Sequence, residues 1–374
     1  MMILQIPFHQ MMLAATALLL SESEVVSASC HVLADGSEFC EYRDACVTPG
    51  LDVIFPESST VHLLPADSNL HVAASSSYSQ ASATATWVRN GTALLMGRDV
   101  MPEGSRVSNP FHFAMFAVQG FTAQRRLGME AASFTDVMVP MAAASVSLWQ
   151  RGLLEVLFGA SASLVFEGGV QEEPPSAVRC FERLVVSGRS YELVAGAADA
   201  QRLREAVAER FPHLGSLHHQ QPQHVTLFLR TTSRSFRNER EVITAAEQRA
   251  EAAGLALRVV RDWGASTPFE EQLRVMATTA LLVAAHGAAL TNALFLPPAS
   301  AVLEVSAARA GGIRFYERVA TNAGHHHVRY TAAAEDSFPH YAELQGYVRR
   351  NLCSPPPLPS SSLERVHCLY SRKA

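Results

Sequence analysis

Two short segments in the second half of the chain carry side chains suited to holding a phosphorylated ligand. Arg230-Thr231-Thr232-Ser233-Arg234, with Arg237 just beyond, follows an apolar run that reads as a strand. A guanidinium donates in a rigid fork and stays charged, which suits phosphate oxygens. The second segment, Ala284-Ala285-His286-Gly287-Ala288-Ala289-Leu290-Thr291-Asn292, reads as a buried strand, a glycine turn and the start of a small-residue helix. Ligands of open parallel sheets bind at the carboxyl ends of strands. A helix N-terminus there offers unpaired N–H groups and a positive dipole end to a phosphate. His286 adds a hydrogen bond, or a charge when protonated. Each segment alone has a plainer reading, a tight turn or a solvated basic face, and their coincidence favours the functional one. Glu304 closes a later strand on the same edge. It suits two ribose hydroxyls, and equally a helix cap or a salt bridge.

The elements that must position these groups alternate regularly from residue 223 onward. Residues 224–229 are a short apolar run of the kind buried in parallel sheets. A helix is expected over 238–253, with Asn238 as N-cap, Glu241 three residues later and Gly254 as the stop. Strands follow at 255–260, 280–285, 301–305 and 327–330, with helices opening at Thr267-Pro268-Phe269-Glu270 and running over 312–323. Such a series demands right-handed crossovers and a parallel sheet covered on both faces, a Rossmann-like lobe. The first half is less regular. Strands are expected at 51–55, 61–64, 84–88, 136–139 and 163–166, and helices at 111–125 and 142–157. Residues 167–178 and 211–222 read as loops or linkers. Two α/β lobes joined near 190–222 would leave a cleft between them.

The bulk properties suit this plan. The chain has 374 residues, enough for two cores, and a net charge of −5 with no long basic run, which argues against a nucleic-acid partner. Residues 11–20 (MMLAATALLL) form an apolar segment the length of a signal-peptide core, followed by the small-residue pattern Val26-Ser27-Ala28, although the first basic residue is Arg43. Residues 1–28 therefore read as a signal peptide or short signal-anchor, which would be the one link to a membrane. The six cysteines, Cys30, Cys40, Cys46, Cys180, Cys353 and Cys368, suit an oxidising compartment. Cys40 could pair with Cys46, and Cys353 with Cys368, but connectivity is not deducible from sequence. Asn90-Gly91-Thr92 is a glycosylation sequon.

The motifs together resemble the catalytic-domain signature of glycosyltransferase family 61. Its Arg, Arg four residues on, then Asn-Glu-x-Glu is met by Arg230, Arg234, Asn238, Glu239 and Glu241. Its second block is met by Gln272, His286-Gly287-Ala288, Leu290-Thr291-Asn292, Phe295 and Pro297. Glu304 stands where the family has a strand-end glutamate, and Arg314-Phe315-Tyr316 and Gly324 continue the match. In the first half, Asn109-Pro110-Phe111-His112-Phe113 is similar to Asn-x-x-His-Phe, and Cys180-Phe181-Glu182-Arg183-Leu184 to Cys-Phe-x-x-Leu.

The resemblance implies a GT-B architecture of two Rossmann-like lobes facing across a cleft, and inverting transfer from a UDP-sugar in the lumen of the endoplasmic reticulum or Golgi. The transferred sugar would be GlcNAc, xylose or arabinose, and the acceptor a hydroxyl of a protein or polysaccharide. Residues 29–195 would be the acceptor-side lobe, 196–335 the donor lobe, and 336–374 a crossing helix with a Pro/Ser-rich tail. Arg230, Arg234, His286, Gly287, Ala288 and Ala289 would hold the diphosphate and Glu304 the ribose, with Asn292 also on the donor side. The sequence holds no Asp-x-Asp, so arginines and helix N–H groups would neutralise the leaving group, with no cofactor and no obligatory metal.

Inverting transfer also needs a base. His112 and Asp44 are the candidates. Met115 and Phe116 stand where the family often has an acid, which keeps open a second reading, an inactive nucleotide-sugar or glycan-binding protein on the same scaffold. A dehydrogenase is disfavoured, since no Gly-x-Gly-x-x-Gly follows an expected strand. The runs His218-His219 and His325-His326-His327 read as ordinary surface or core residues, since neighbours in a strand face opposite ways.

Overall fold

The computed structural model describes residues 28–32, 38–48, 51, 53–54, 86–96, 109–127, 129, 134–159, 162–167, 178–187, 192–214, 221–231, 235–236, 238–261, 263, 267–307 and 314–332. The expected leader up to residue 27, the strand at 61–64, Arg234, Arg237, the crossing helix and the tail lie outside them.

The described residues form a mixed α/β structure with two parallel-rich sheets. The first contains β1 (Ala28–Val32), β2 (Glu38–Val47), β3 (Val53–Ile54), β4 (Thr86–Met96), β5 (Asp136–Ala142), β6 (Ser163–Glu167) and β7 (Arg179–Ser187), in the order β1-β2-β7-β4-β5-β6 with β3 on β2. β7, β4, β5 and β6 run parallel; β2 is antiparallel to β7, β1 and β3. Helices α1 (Pro110–Arg126), α2 (Leu148–Phe158) and α3 (Ala197–Arg210) accompany this half and the junction. The second sheet holds β8 (His224–Leu229), β9 (Ala256–Arg261), β10 (Thr279–Ala285), β11 (Ala301–Ala307) and β12 (His326–Ala332), all parallel, in the order β12-β11-β10-β8-β9. Its connecting elements are α4 (Glu239–Ala252), α5 (Phe269–Met276), a 3-10 helix (Ala288–Phe295) and α6 (Phe315–Asn322).

Strand alternation explains where the core sits. Leu94 and Met96 on β4, Val137 and Val139 on β5, and Val185 on β7 face a layer of helices. Phe228, Leu282, Ala284 and Val302 of the second sheet face the same layer. α1, α2 and α3 therefore share one apolar cluster with α5, the 3-10 helix and α6. Ala93, Leu95, Met138, Leu184 and Val186 form a separate cluster on the far side of the first sheet. On the far side of the second, Val225, Leu227, Leu281, Val283 and Leu303 pack with Val242 and Ala250 of α4.

Several local expectations change. α2 begins at Leu148, because Ser147 and Gln150 form a reciprocal capping box: Gln150 N–H donates to Ser147 Oγ at 3.2 Å and Ser147 N–H to Gln150 Oε1 at 2.8 Å. α3 occupies part of the expected linker; Ala200, Leu203 and Val207 lie on one helical face and are buried. Asn238 makes no side-chain cap, and the N-cap of α5 is Pro268 in place of Thr267. Gly254 does end α4, at φ 68°.

The cysteine pairing is also corrected. Cys46 on β2 is bonded to Cys180 on β7, not to Cys40. Strand register decides this, since Cys46 and Cys180 are directly opposed, whereas Cys40 lies six residues back along β2 and is itself disulfide-bonded. Among the described residues, no helix is long and apolar enough to cross a membrane.

Candidate active site

The second sheet has the strand order in which connections reverse between β8 and β10, and ligand crevices open at that reversal beyond the carboxyl ends of the strands. Phe228 and Ala284 are register partners there. Two residues further on stand Arg230 and His286, so these two, 56 positions apart in the chain, occupy adjacent strand ends. Gly287 is extended, at φ 165°, so its dihedral suits any residue and the turn does not depend on glycine geometry. The element it opens is a 3-10 helix in place of an α-helix, closed by Leu290 N–H to Gly287 O at 2.9 Å. The N–H groups of Ala288 and Ala289 precede the first helical bond and have no partner within the helix.

His286 is held from behind. Its Nδ1 meets Glu304 Oε1, and the other oxygen of that carboxylate meets His327 Nε2 at 2.9 Å. Glu304 lies inside β11 and not at its end, and is 1% exposed. Burial alone raises a carboxyl, but the hydrogen bonds from His286 and His327, reinforced by their charge, outweigh it and hold Glu304 at about 2. An ionised carboxylate only accepts. His286 must therefore donate from Nδ1 and His327 from Nε2, so each of those nitrogens carries a proton. Both oxygens of Glu304 are thus engaged by histidines in this structure.

Aromatic contacts bring the first half to the same place. The Tyr316 ring, at the start of α6, meets His286 edge-on with centroids 5.1 Å apart. Phe111 meets Tyr316 at 5.1 Å and Phe315 at 5.3 Å. His112 adjoins Phe111 at 5.8 Å. Asn109 fixes this end of α1, since its Oδ1 accepts from Phe111 N–H at 2.9 Å. These rings join the start of α1 to the start of α6 and to His286. Asp44 is placed elsewhere. It lies at φ 50° on β2, exposed, beside residues paired to Phe181 and Arg183. Ser187 at the carboxyl end of β7 is about 17 Å further along the sheet.

Asn292 is placed in a buried network that joins the two halves. Trp149 Nε1–H donates to Asn292 Oδ1 at 3.3 Å, Asn292 Nδ2–H to Gln272 Oε1 at 3.0 Å, and Gln272 Nε2–H to Thr267 O at 3.3 Å. The network anchors the 3-10 helix behind His286. Trp263 packs on Phe228 at 5.2 Å.

Residues 100–303, more than half of the chain, match the family described as Glycosyltransferase 61. The chain belongs to glycosyltransferase family 61. No curated protein matches it. Family membership supports a glycosyltransferase activity, with a donor and an acceptor as substrates. The matched span of this family 61 chain contains His112, Arg230 and His286, and stops one residue before Glu304. The sequence marks neither Tyr316 nor His327 as a contact of this site, and His327, expected to be an ordinary surface or core residue, is bonded to Glu304. Period-2 placement was the available signal for His327: it falls on the same face of its strand as Arg329, the register partner of Glu304.

Proposed function

We propose that this chain is an inverting, metal-independent glycosyltransferase of GT-B type. It would move a sugar of the GlcNAc, xylose or arabinose type from a UDP-sugar to a hydroxyl of a protein or polysaccharide. The observation that carries this reading is the adjacency of Arg230 and His286 at the reversal point of the second sheet. The diphosphate would lie between them, with Arg234 close in sequence and the leading N–H groups of Ala288 and Ala289 completing the cradle. Gly287 presents backbone only. Asn292 would act by anchoring that helix, and Glu304 through His286, rather than by touching the ribose.

In the reaction, the acceptor oxygen bonds to the anomeric carbon as the bond from that carbon to the diphosphate breaks and UDP departs. The acceptor proton passes to a base on the opposite face. His112 is the base in this proposal, on the ground that its neighbour Phe111 meets Tyr316, whereas Asp44 lies exposed on β2. The cross-strand disulfide between Cys46 and Cys180 supports a lumenal setting, the endoplasmic reticulum or Golgi.

The test is binding and turnover of a panel of UDP-sugars by the unmodified chain with and without EDTA, beside Arg230→Ala and His286→Ala. Saturable binding indifferent to EDTA and weakened at least tenfold in both variants is the expected result, each having lost a hydrogen bond to a charged group. A folded sample that binds no UDP compound would defeat the reading. A second reading rests on Met115 and Phe116, which are buried and apolar at 3% and 2% exposure and offer no acid on α1. Binding of a UDP-sugar without hydrolysis or transfer, across glycan and glycoprotein acceptors, would favour this non-catalytic binding protein.

A further inference from the structure

Glu304 is deeply buried, yet only one of its oxygens serves His286. The other is taken by His327, whose side chain is 3% exposed and therefore screened from any ligand. β12 turns His327 inward and His326 outward. On the inner face, Arg329, the register partner of Glu304, is engaged with Ser306 Oγ at 2.7 Å. This leaves His327, one step back along the same face, to meet the carboxylate. A carboxylate with one donor can rotate about its terminal torsion, which is broad and two-fold. A second donor on the opposite oxygen sets its plane, and so sets where the first oxygen meets the ring of His286.

We propose that His327 is a positioning residue for this site: acting through Glu304, it fixes the ring of His286 with Nδ1–H on the carboxylate and Nε2 turned to the donor diphosphate, to which Nε2 donates when the ring is protonated. The proposal rests on the donor-site reading above for the identity of the ligand, but not for the tautomer. The arrangement parallels the general rule that a ring nitrogen's role is fixed by the hydrogen bond its partner nitrogen makes. His327 lies outside the span matched to the family, so the relay is read from this fold and not from the motif.

The experiment has two arms on the full chain. In the first, nitrogen-15 NMR of labelled imidazoles, with His286 assigned by its loss in His286→Gln, reports the tautomer directly. The unmodified chain should show His286 as Nδ1–H and His327 as Nε2–H. In His327→Phe, which keeps an aromatic ring and removes the donor, Glu304 still accepts from His286 Nδ1–H but is no longer held in one plane. The Nδ1–H proton of His286 should then exchange faster with water and its resonance broaden. In the second arm, His327→Phe should lower kcat about 10- to 100-fold, the range for losing a hydrogen bond to a charged group, with KM for the UDP-sugar within about threefold. His327→Gln, which retains an N–H donor, should restore kcat to within about threefold of the unmodified chain. An Nε2–H tautomer of His286 in the unmodified chain overturns the proposal before any variant is made. So does an Nδ1–H resonance of His286 that is unchanged in His327→Phe, or an equal fall of kcat in the Phe and Gln variants. If no UDP-sugar is turned over at all, the functional reading fails, and the tautomer arm still decides the relay.

Discussion

Arg204 on α3 and His325 ahead of β12 are 6% and 5% exposed, and their electrostatic contact joins two segments 121 positions apart. Burial first, then the charge of Arg204 and that of His326, push the His325 imidazole down to about 3, against a smaller upward effect of the Ala293 backbone carbonyl. The imidazole is neutral in the folded chain and takes up a proton only on unfolding, once the pH falls below the unfolded value near 6.5. Stability should therefore fall from pH 6.5 downward, by about 2 kcal/mol at pH 5 relative to neutral for this one group. Glu304 adds a loss of the same sign in a lower window, from the free value of 4.5 toward about 2, as its carboxylate becomes protonated. Urea midpoints measured from pH 7.5 to 5 should slope less steeply in His325→Leu than in the unmodified chain. Parallel slopes would show that His325 does not carry the effect.

At the scale of elements, close approach and covalent bonding decide how the pieces sit. α2 meets α5 at Gly152, where an added Cβ would stand 2.5 Å from Phe269 Cβ. Three residues earlier on the same face, Trp149 meets the Phe269 ring edge-on at 5.6 Å. Gly152→Ala gains helix propensity but must push the helices apart, and overpacking of this kind costs about 1–3 kcal/mol. A lower thermal midpoint is the expected result; an unchanged or higher one would mean that the two helices yield. The disulfide between Cys46 and Cys180 closes a separation of 134 residues. Chain entropy for a loop of that size gives about 5 kcal/mol as an upper figure, and removal of a native bond typically costs about 2–5 kcal/mol. Cys46→Ser with Cys180→Ser should lower denaturant stability within that range. A loss below about 1 kcal/mol would show that the strand pairing of β2 and β7 holds without it.

The whole molecule is tied together by its middle layer. Helices from both halves share one apolar cluster, and the Trp149–Asn292–Gln272 network crosses between them. Separating the halves would expose Phe116, Trp149, Leu153, Phe269 and Phe295, each 2% exposed or less. At roughly 25 cal/mol per Å² of apolar surface, that exposure outweighs the marginal stability of a domain of this size. Calorimetry should accordingly show one cooperative transition, and a chain cut between residues 187 and 192 should not yield a half that folds alone. Two resolved transitions would show that the halves are independent.

Local chemistry was readable before any fold was known. The apolar runs at β8, β10 and β11, the stop at Gly254 and the family motifs around Arg230 and His286 depend on near neighbours in sequence, which is where strand periodicity and motif spacing reside. α3 and the true start of α2 were also encoded, in an apolar face and a Ser147/Gln150 box, but they fell in segments read as a linker and as one longer helix. What the sequence by itself determined is an α/β chain of family 61 with a phosphate-suited turn in its second sheet. Only the tertiary structure made Arg230 and His286 neighbours, bonded Cys46 to Cys180 and placed His327 behind Glu304. Each of these is a contact between residues far apart in the chain, set by strand order and register, and no local pattern specifies which strand will lie beside which.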